Sequence, residues 1–92
     1  MKKIGEKDMG LCLISTKEIW EYRRKWNAMV IDLRDSKDYR QWHIPGARNV
    51  PVEELEAFME QMPKNRLLIF YCQYGNTSIQ EGCRYVKRGY RI

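Results

Sequence analysis

Apolar residues gather in two short runs, and elsewhere they recur at helical spacing. Ala28 to Leu33 (AMVIDL) and Leu67 to Tyr71 (LLIFY) have the length and content of strands buried on both faces. Ile19, Tyr22 and Trp26 share one helical face and predict a helix over about 16–25. Ser15 and Glu18, three residues apart at its start, fit a capping box in which each side chain satisfies the other's free N–H. Leu55, Phe58, Met59 and Met62 fall at i, i+3, i+4 and i+7 and predict a helix over about 52–62, with Glu53 and Glu54 suited to its N-terminal dipole. A further helix is predicted over 78–88, with Ile79, Gly82, Cys83 and Val86 inward. Lys87 and Arg88 occupy its last turn, and Gly89 marks its stop. Weaker signals fill the gaps. Leu11 to Ile14 reads as a short strand, and Asp35 or Ser36 can cap a short helix through about Gln41. HIPGARNVP (43–51), with two prolines and a glycine, reads as a rigid loop, and Pro63–Asn65 as a turn.

Alternating helices and fully apolar strands call for a parallel sheet with helices packed on it, joined by right-handed crossovers. Such sheets bind ligands at the carboxyl ends of their strands. Cys72 closes the strand at 67–71, and Asp32 and Arg34 close the strand at 28–33, so all three are expected on one edge.

Size and charge narrow the functional classes. A chain of 92 residues makes one small domain. A domain that small buries about 60–65% of its unfolded surface, so its stability margin is narrow. Residues 1–10 are polar and are expected to be a loose N-terminal segment, leaving 11–92 as the domain. With 43% hydrophobic residues the chain does not read as disordered. The net charge of +5 is spread along the chain, and no nucleic-acid module signature accompanies it, so no nucleic-acid partner is expected. The longest apolar run, Leu67 to Cys72, falls far short of the about 20 residues that span a bilayer, and no apolar segment follows Lys2 and Lys3. No membrane partner and a cytoplasmic location are therefore expected. The three cysteines, Cys12, Cys72 and Cys83, are odd in number and lack metal-ligand spacing, and His43 is the sole histidine. Neither a disulfide framework nor a metal site is expected, and no cofactor is called for.

Cys72 carries the chemical interest. A thiol is a nucleophile as its thiolate. The loop Gln73–Thr77 runs from the strand end into a helix start, where unpaired N–H groups form an anion-binding nest. Gly75 permits backbone angles that other residues resist, and Thr77 and Ser78 add hydroxyls, either of which could cap the helix. A lowered Cys72 pKa is expected without a partnered histidine. The blander alternative is a structural cysteine ending a buried strand. Cys83, on a helix face, and Cys12, in a short apolar run, read as core residues.

IDLRDSKDYRQWHIPGARNVP, then a helix, then LLIFYCQYGNTS and KRGY, resembles a rhodanese-like domain over about residues 11–92. Asp32 and Arg34 match the family's D-x-R strand end. His43 to Ala47 match H-I-P-G-A, Cys72 and Gly75 match the strand–Cys–x–x–Gly loop, and Gly89 and Tyr90 match the closing Gly–aromatic pair. The resemblance implies a small doubly wound α/β fold, a parallel sheet with helices on both faces. It also implies sulfur transfer. Cys72 would take a sulfane sulfur as a persulfide and pass it to a thiol or cyanide, with Gln73, Tyr74, Gly75, Asn76 and Thr77 cradling it and Asp32, Arg34 and Ser78 in support. The implied partners are small-molecule or protein donors and acceptors of sulfur.

The chain departs from the family in two places. Threonine stands at position 77, where single-domain members often carry arginine, and Gln73 and Tyr74 match neither the basic nor the small loops of known donor classes, so the donor stays open. The same missing arginine speaks against the related cysteine phosphatases, which clamp phosphate with it. The chain is also C-terminally short, ending at GYRI where the family continues with a strand inside the sheet. A truncated piece, a shifted pairing, or an oligomer completing the sheet is expected to account for this. His43 reads as a hydrogen-bonding residue of a structural segment, Asp32 and Arg34 as a pair bracing the loops, and Trp20, Trp26 and Trp42 as packing residues. Tyr74 either flanks substrate or is simply exposed. The competing function is a non-catalytic binding or regulatory module of the same fold.

Overall fold

The computed structural model describes residues 14–92. The polar segment 1–10, Cys12, and all but Ile14 of the strand expected at 11–14 lie outside the described residues. The first helix, α1 (Thr16–Trp26), opens with the predicted capping box: the Glu18 N–H donates to Ser15 Oγ at 3.2 Å, and the Ser15 N–H to Glu18 Oε1 at 2.9 Å. It stops at Asn27, a left-handed residue with φ 52° whose N–H donates to Arg23 O. Strand β1 (Met29–Asp32), helix α2 (Ser36–Gln41) and strand β2 (Arg48–Asn49) follow. A 3-10 turn over Val52–Glu54 runs into α3 (Leu55–Glu60), then β3 (Leu68–Tyr71) and α4 (Asn76–Lys87). Gly89, with φ 96°, ends α4 as its position predicts.

The three strands are parallel, in the order β2–β1–β3. Met29 lies opposite Leu68, and the register runs on to Asp32 opposite Tyr71. Side chains alternate between faces, as the two-residue period of a strand demands. Ile31, Leu33 and Leu68 join Leu55, Met59 and Tyr85 in one buried cluster, against which Met29 and Phe70 pack. Val30 joins Ile19, Ile44 and Ala47 in a second cluster, packed by Ile14, Tyr39, Ile69 and Tyr71. Helices α3 and α4 thus cover one face and α1 and α2 the other, which is the doubly wound arrangement. Burying each of the large aliphatic side chains contributes about 1.5–3 kcal/mol.

Three expectations need correction. The segment 43–51 is not loop throughout, because Arg48 and Asn49 pair with the β1 edge, whose N–H and C=O groups need partners. The inward face of α4 is centred on Gly82 and Tyr85, both buried, while Ile79, Cys83 and Val86 are half-buried flanks. Tyr85 is completely covered because its hydroxyl donates to Glu56 Oε1 at 3.2 Å, which removes the cost of burying it. The tryptophans are not packing residues: Trp20, Trp26 and Trp42 are 48%, 60% and 56% exposed. Beyond β3, Arg91 forms a parallel bridge with Leu67, and the Leu68 N–H donates to Arg91 O at 2.8 Å.

The strand order places the site. After β1 the chain crosses to one side for β2 and returns to the other side for β3. The direction of winding reverses between β1 and β3, and the carboxyl ends of strands at such a reversal are where sheets of this kind bind ligands. Cys72 is the first residue past β3, and Leu33 and Arg34 are the first past β1.

Candidate active site at the β3–α4 junction

Past Tyr71 the chain turns away from the sheet and enters α4 through Gly75, whose φ of 84° puts it in the left-handed region. A Cβ at Gly75 would meet nothing within 4 Å, so the backbone angle rather than crowding favours glycine. Gly75 is also the N-cap of α4, and no side chain caps the helix. The expected cap from Thr77 or Ser78 is not formed, because the helix expected to start at 78 starts at Asn76 and holds both inside its first turn; the Cys72 sulfur takes the Ser78 N–H instead.

Cys72 Sγ accepts the Gly75 N–H at 3.1 Å and the Ser78 N–H at 3.3 Å. The second is the donor that a capping serine or aspartate ordinarily satisfies. Ser78 Oγ lies 3.4 Å from the sulfur and donates to Gly75 O at 3.1 Å. The thiol can donate to that hydroxyl, and if the hydroxyl turns, a thiolate can accept from it. Burial pushes the half-buried Cys72 thiol up, and the Ser78 hydroxyl with the N–H groups of Ser78, Gly75 and Thr77 pushes it down. The donors prevail and hold the thiol below its ordinary value.

The rest of the loop stands around this contact. Gln73 and Tyr74 are exposed, and Gln73 Nε2 donates to Tyr74 Oη at 3.3 Å. Asn76 is exposed at the start of the helix, and Thr77 is half-buried. None of these four side chains makes a hydrogen bond to the sulfur.

Asp32 and Arg34 lie on the same edge, as their positions predict, and they hold each other. Asp32 is fully buried; the Arg34 Nε and Nη2 donate to its Oδ1 and Oδ2 at 3.0 and 2.8 Å, and the Arg34 backbone N–H adds a third bond at 3.0 Å. Arg34 Nη2 also donates to Trp42 O at 2.6 Å. These bonds to Asp32 first of all, and then the carboxylate's charge, raise the Arg34 pKa against the effect of burial. The guanidinium lies 5.2 Å from the Tyr71 ring and 6.0 Å from the Trp42 ring, beside the residue that precedes Cys72. Asn49 completes the edge by donating from Nδ2 to Asp32 O and Arg34 O, both at 3.0 Å. Neither Asn49 nor Trp42 is singled out by the sequence as part of this edge, since a lone amide or indole carries no spacing signal. His43 stands apart, its Nδ1 2.8 Å from Tyr39 O and its ring stacked on Tyr39.

Comparison with known proteins settles the family. A model of the rhodanese-like domain matches residues 15–91, nearly the whole chain. The chain belongs to the rhodanese-like domain family. Relatives of this rhodanese-like domain include the thiosulfate sulfurtransferase GlpE of Coxiella burnetii, 28% identical over 78 residues, which cover 85% of this chain and 73% of that protein. A tRNA sulfurtransferase of Pyrobaculum aerophilum is 35% identical over 52 residues, covering 56% of this chain and 11% of that protein. An HTH-type transcriptional regulator of Mycobacterium tuberculosis is 30% identical over 60 residues, covering 65% of this chain and 26% of that protein. The chain thus spans most of the first of these and only a small part of the other two. No helix among the described residues is long and apolar enough to cross a membrane.

Proposed function

We propose that this rhodanese-like domain is a sulfurtransferase that carries sulfane sulfur as a persulfide on Cys72. The observation that carries the reading is the convergence of the Gly75 and Ser78 N–H groups on Cys72 Sγ at the start of α4. Relatives named as sulfurtransferases add to it. In the first half-reaction the Cys72 thiolate attacks the sulfane sulfur of a donor. A new S–S bond forms on Cys72, the donor's bond to that sulfur breaks, and the leaving group keeps the electron pair. In the second, an acceptor thiolate or cyanide attacks the outer sulfur, and Cys72 leaves as a thiolate. The same donors serve both steps, since each begins or ends with negative charge on Sγ. The N–H group of Asn76, in the first turn of α4 where no intrahelical acceptor is available, is the natural partner for the outer sulfur. Asp32, Arg34 and Asn49 act at one remove, fixing the neighbouring strand end.

The test is an intact-mass spectrum after incubation with thiosulfate and, separately, with a low-molecular-weight persulfide, wild type beside Cys72→Ser. One sulfur gained by wild type alone and removed by cyanide is the expected result. A second reading, a binding module whose cysteine is incidental, draws on the similarity to a protein named a transcriptional regulator. A folded wild type that gains no sulfur from any donor would favour that reading.

A further inference from the structure

We propose that the sulfur donor is a carbon-bound persulfide, R–S–SH, rather than a multiply charged anion such as thiosulfate; this rests on the sulfurtransferase reading above. Every group the structure places against Cys72 Sγ is uncharged: the Gly75 and Ser78 N–H groups and the Ser78 hydroxyl. From Cys72 to Cys83 the sequence holds no lysine or arginine, and its one charged residue is Glu81. The first cation of α4 is Arg84, about two turns from the loop. Arg84 faces away from that role, donating to Glu56 Oε1 at 2.8 Å and Glu81 Oε1 at 3.3 Å. At the neighbouring strand end Arg34 is only 12% exposed, is neutralised by Asp32, and has its remaining hydrogen bond on Trp42 O. The loop and the sheet edge that carries it hold aromatic side chains instead. Tyr74 is 81% exposed on the loop, and Trp42 and Tyr71 meet edge to face at 6.4 Å on the same sheet edge.

An incoming dianion would face a thiolate with no cation among the described residues set against it to offset the repulsion, and the N–H groups of the helix start oppose a second charge with partial charges alone. A persulfide brings at most one negative charge and an organic group that the exposed aromatic surface suits. The transfer balances without an added oxidant or reductant. Cys72–S⁻ attacks the outer sulfur of R–S–SH, the Cys72 S–S bond forms, the R–S bond to that sulfur breaks, and the electron pair leaves on R–S⁻. The proton stays on the transferred sulfur.

The experiment measures the second-order rate of sulfur loading on wild type by quenched intact mass, with thiosulfate and with cysteine persulfide. Each rate is divided by that of free cysteine thiolate with the same donor, which removes the donors' intrinsic reactivity. The expected acceleration is at least about tenfold greater for the persulfide. Tyr74→Lys, at an exposed position that needs no repacking, is expected to raise the thiosulfate rate severalfold relative to the persulfide rate. Equal or greater acceleration of thiosulfate by wild type would overturn the donor assignment and leave the sulfurtransferase reading standing. Loading from neither donor would overturn both.

Discussion

Two strand ends meet at the same edge of this sheet, and they use their polar groups in opposite ways. At the end of β1 a buried carboxylate and a guanidinium close on one another, Asp32 with Arg34, and the Asn49 amide donates to the backbone carbonyls of both. At the end of β3, one sulfur faces several donors and has no formal charge opposite it. The first end holds its geometry through a closed set of charge-assisted bonds. The second keeps a half-buried thiol in the loop, where a lowered pKa favours the thiolate. A rigid end beside a reactive one is what a cysteine at a strand–loop junction requires, because the loop keeps its shape only if the sheet edge beneath it does not move.

The largest expected effect comes from breaking the closed end. Asp32→Ala would leave the Arg34 guanidinium partly buried without its partner, and removing one member of such a pair costs about 3–5 kcal/mol. That is a large part of the about 5–15 kcal/mol that keeps an ordinary domain folded. Denaturant unfolding beside wild type measures it, and a loss below about 1 kcal/mol would show that the edge stands without the pair. Next in size is Gly75→Ala. Its Cβ has open space, so the cost comes from a left-handed backbone angle alone, about 1–2 kcal/mol. If the loop relaxes instead, the Gly75 N–H turns from the sulfur and the Cys72 pKa rises; alkylation rate against pH separates the two responses.

The contrast between the ends also marks how far the sequence reaches. The closed end was half legible: D-x-R at the foot of an apolar run pointed to Asp32 and Arg34, while Asn49 joined them through a two-residue pairing too short to leave a period. The reactive end was legible in outline, since an apolar run, a cysteine, a glycine and a helix start place the thiol without any coordinates. What escaped was the identity of the cap. Hydroxyls are the ordinary N-cap acceptors, and nothing in the letters shows that a sulfur from the preceding strand will reach the Ser78 N–H first. The tryptophans misled for a related reason. Their size argues for burial, yet a small domain offers too little interior, and Tyr85 and Tyr90 already fill it with hydroxyls directed to Glu56 and Met59 O. The faces of α1 and α3 were read in part: Ile19, Leu55 and Met59 are buried as their spacing predicts, but Trp26 is exposed, and the helix expected over 52–62 is a 3-10 turn over 52–54 followed by an α-helix over Leu55–Glu60.

The smallest effect sharpens the comparison most. Ser78→Ala removes the hydroxyl beside Cys72 Sγ and keeps both N–H donors, so the fold should hold and the thiol pKa should move up towards its ordinary value. Because reactivity follows the thiolate fraction, alkylation of Cys72 near pH 6 should slow about threefold to tenfold. Ser78→Thr, which restores a hydroxyl, should recover most of the rate, and the half-buried Cys83 supplies the internal reference. The linkage has a definite sign. A thiol whose folded pKa lies below its unfolded value stabilises the fold fully above the unfolded pKa, and that contribution fades as pH falls through the folded value. Wild type should therefore lose a little stability as the pH drops through the range where Cys72 gains its proton, and Ser78→Ala should lose less of it. A reactivity midpoint unchanged by Ser78→Ala would mean that the backbone donors alone set the thiol, and that the serine hydroxyl serves only the Gly75 carbonyl to which it donates.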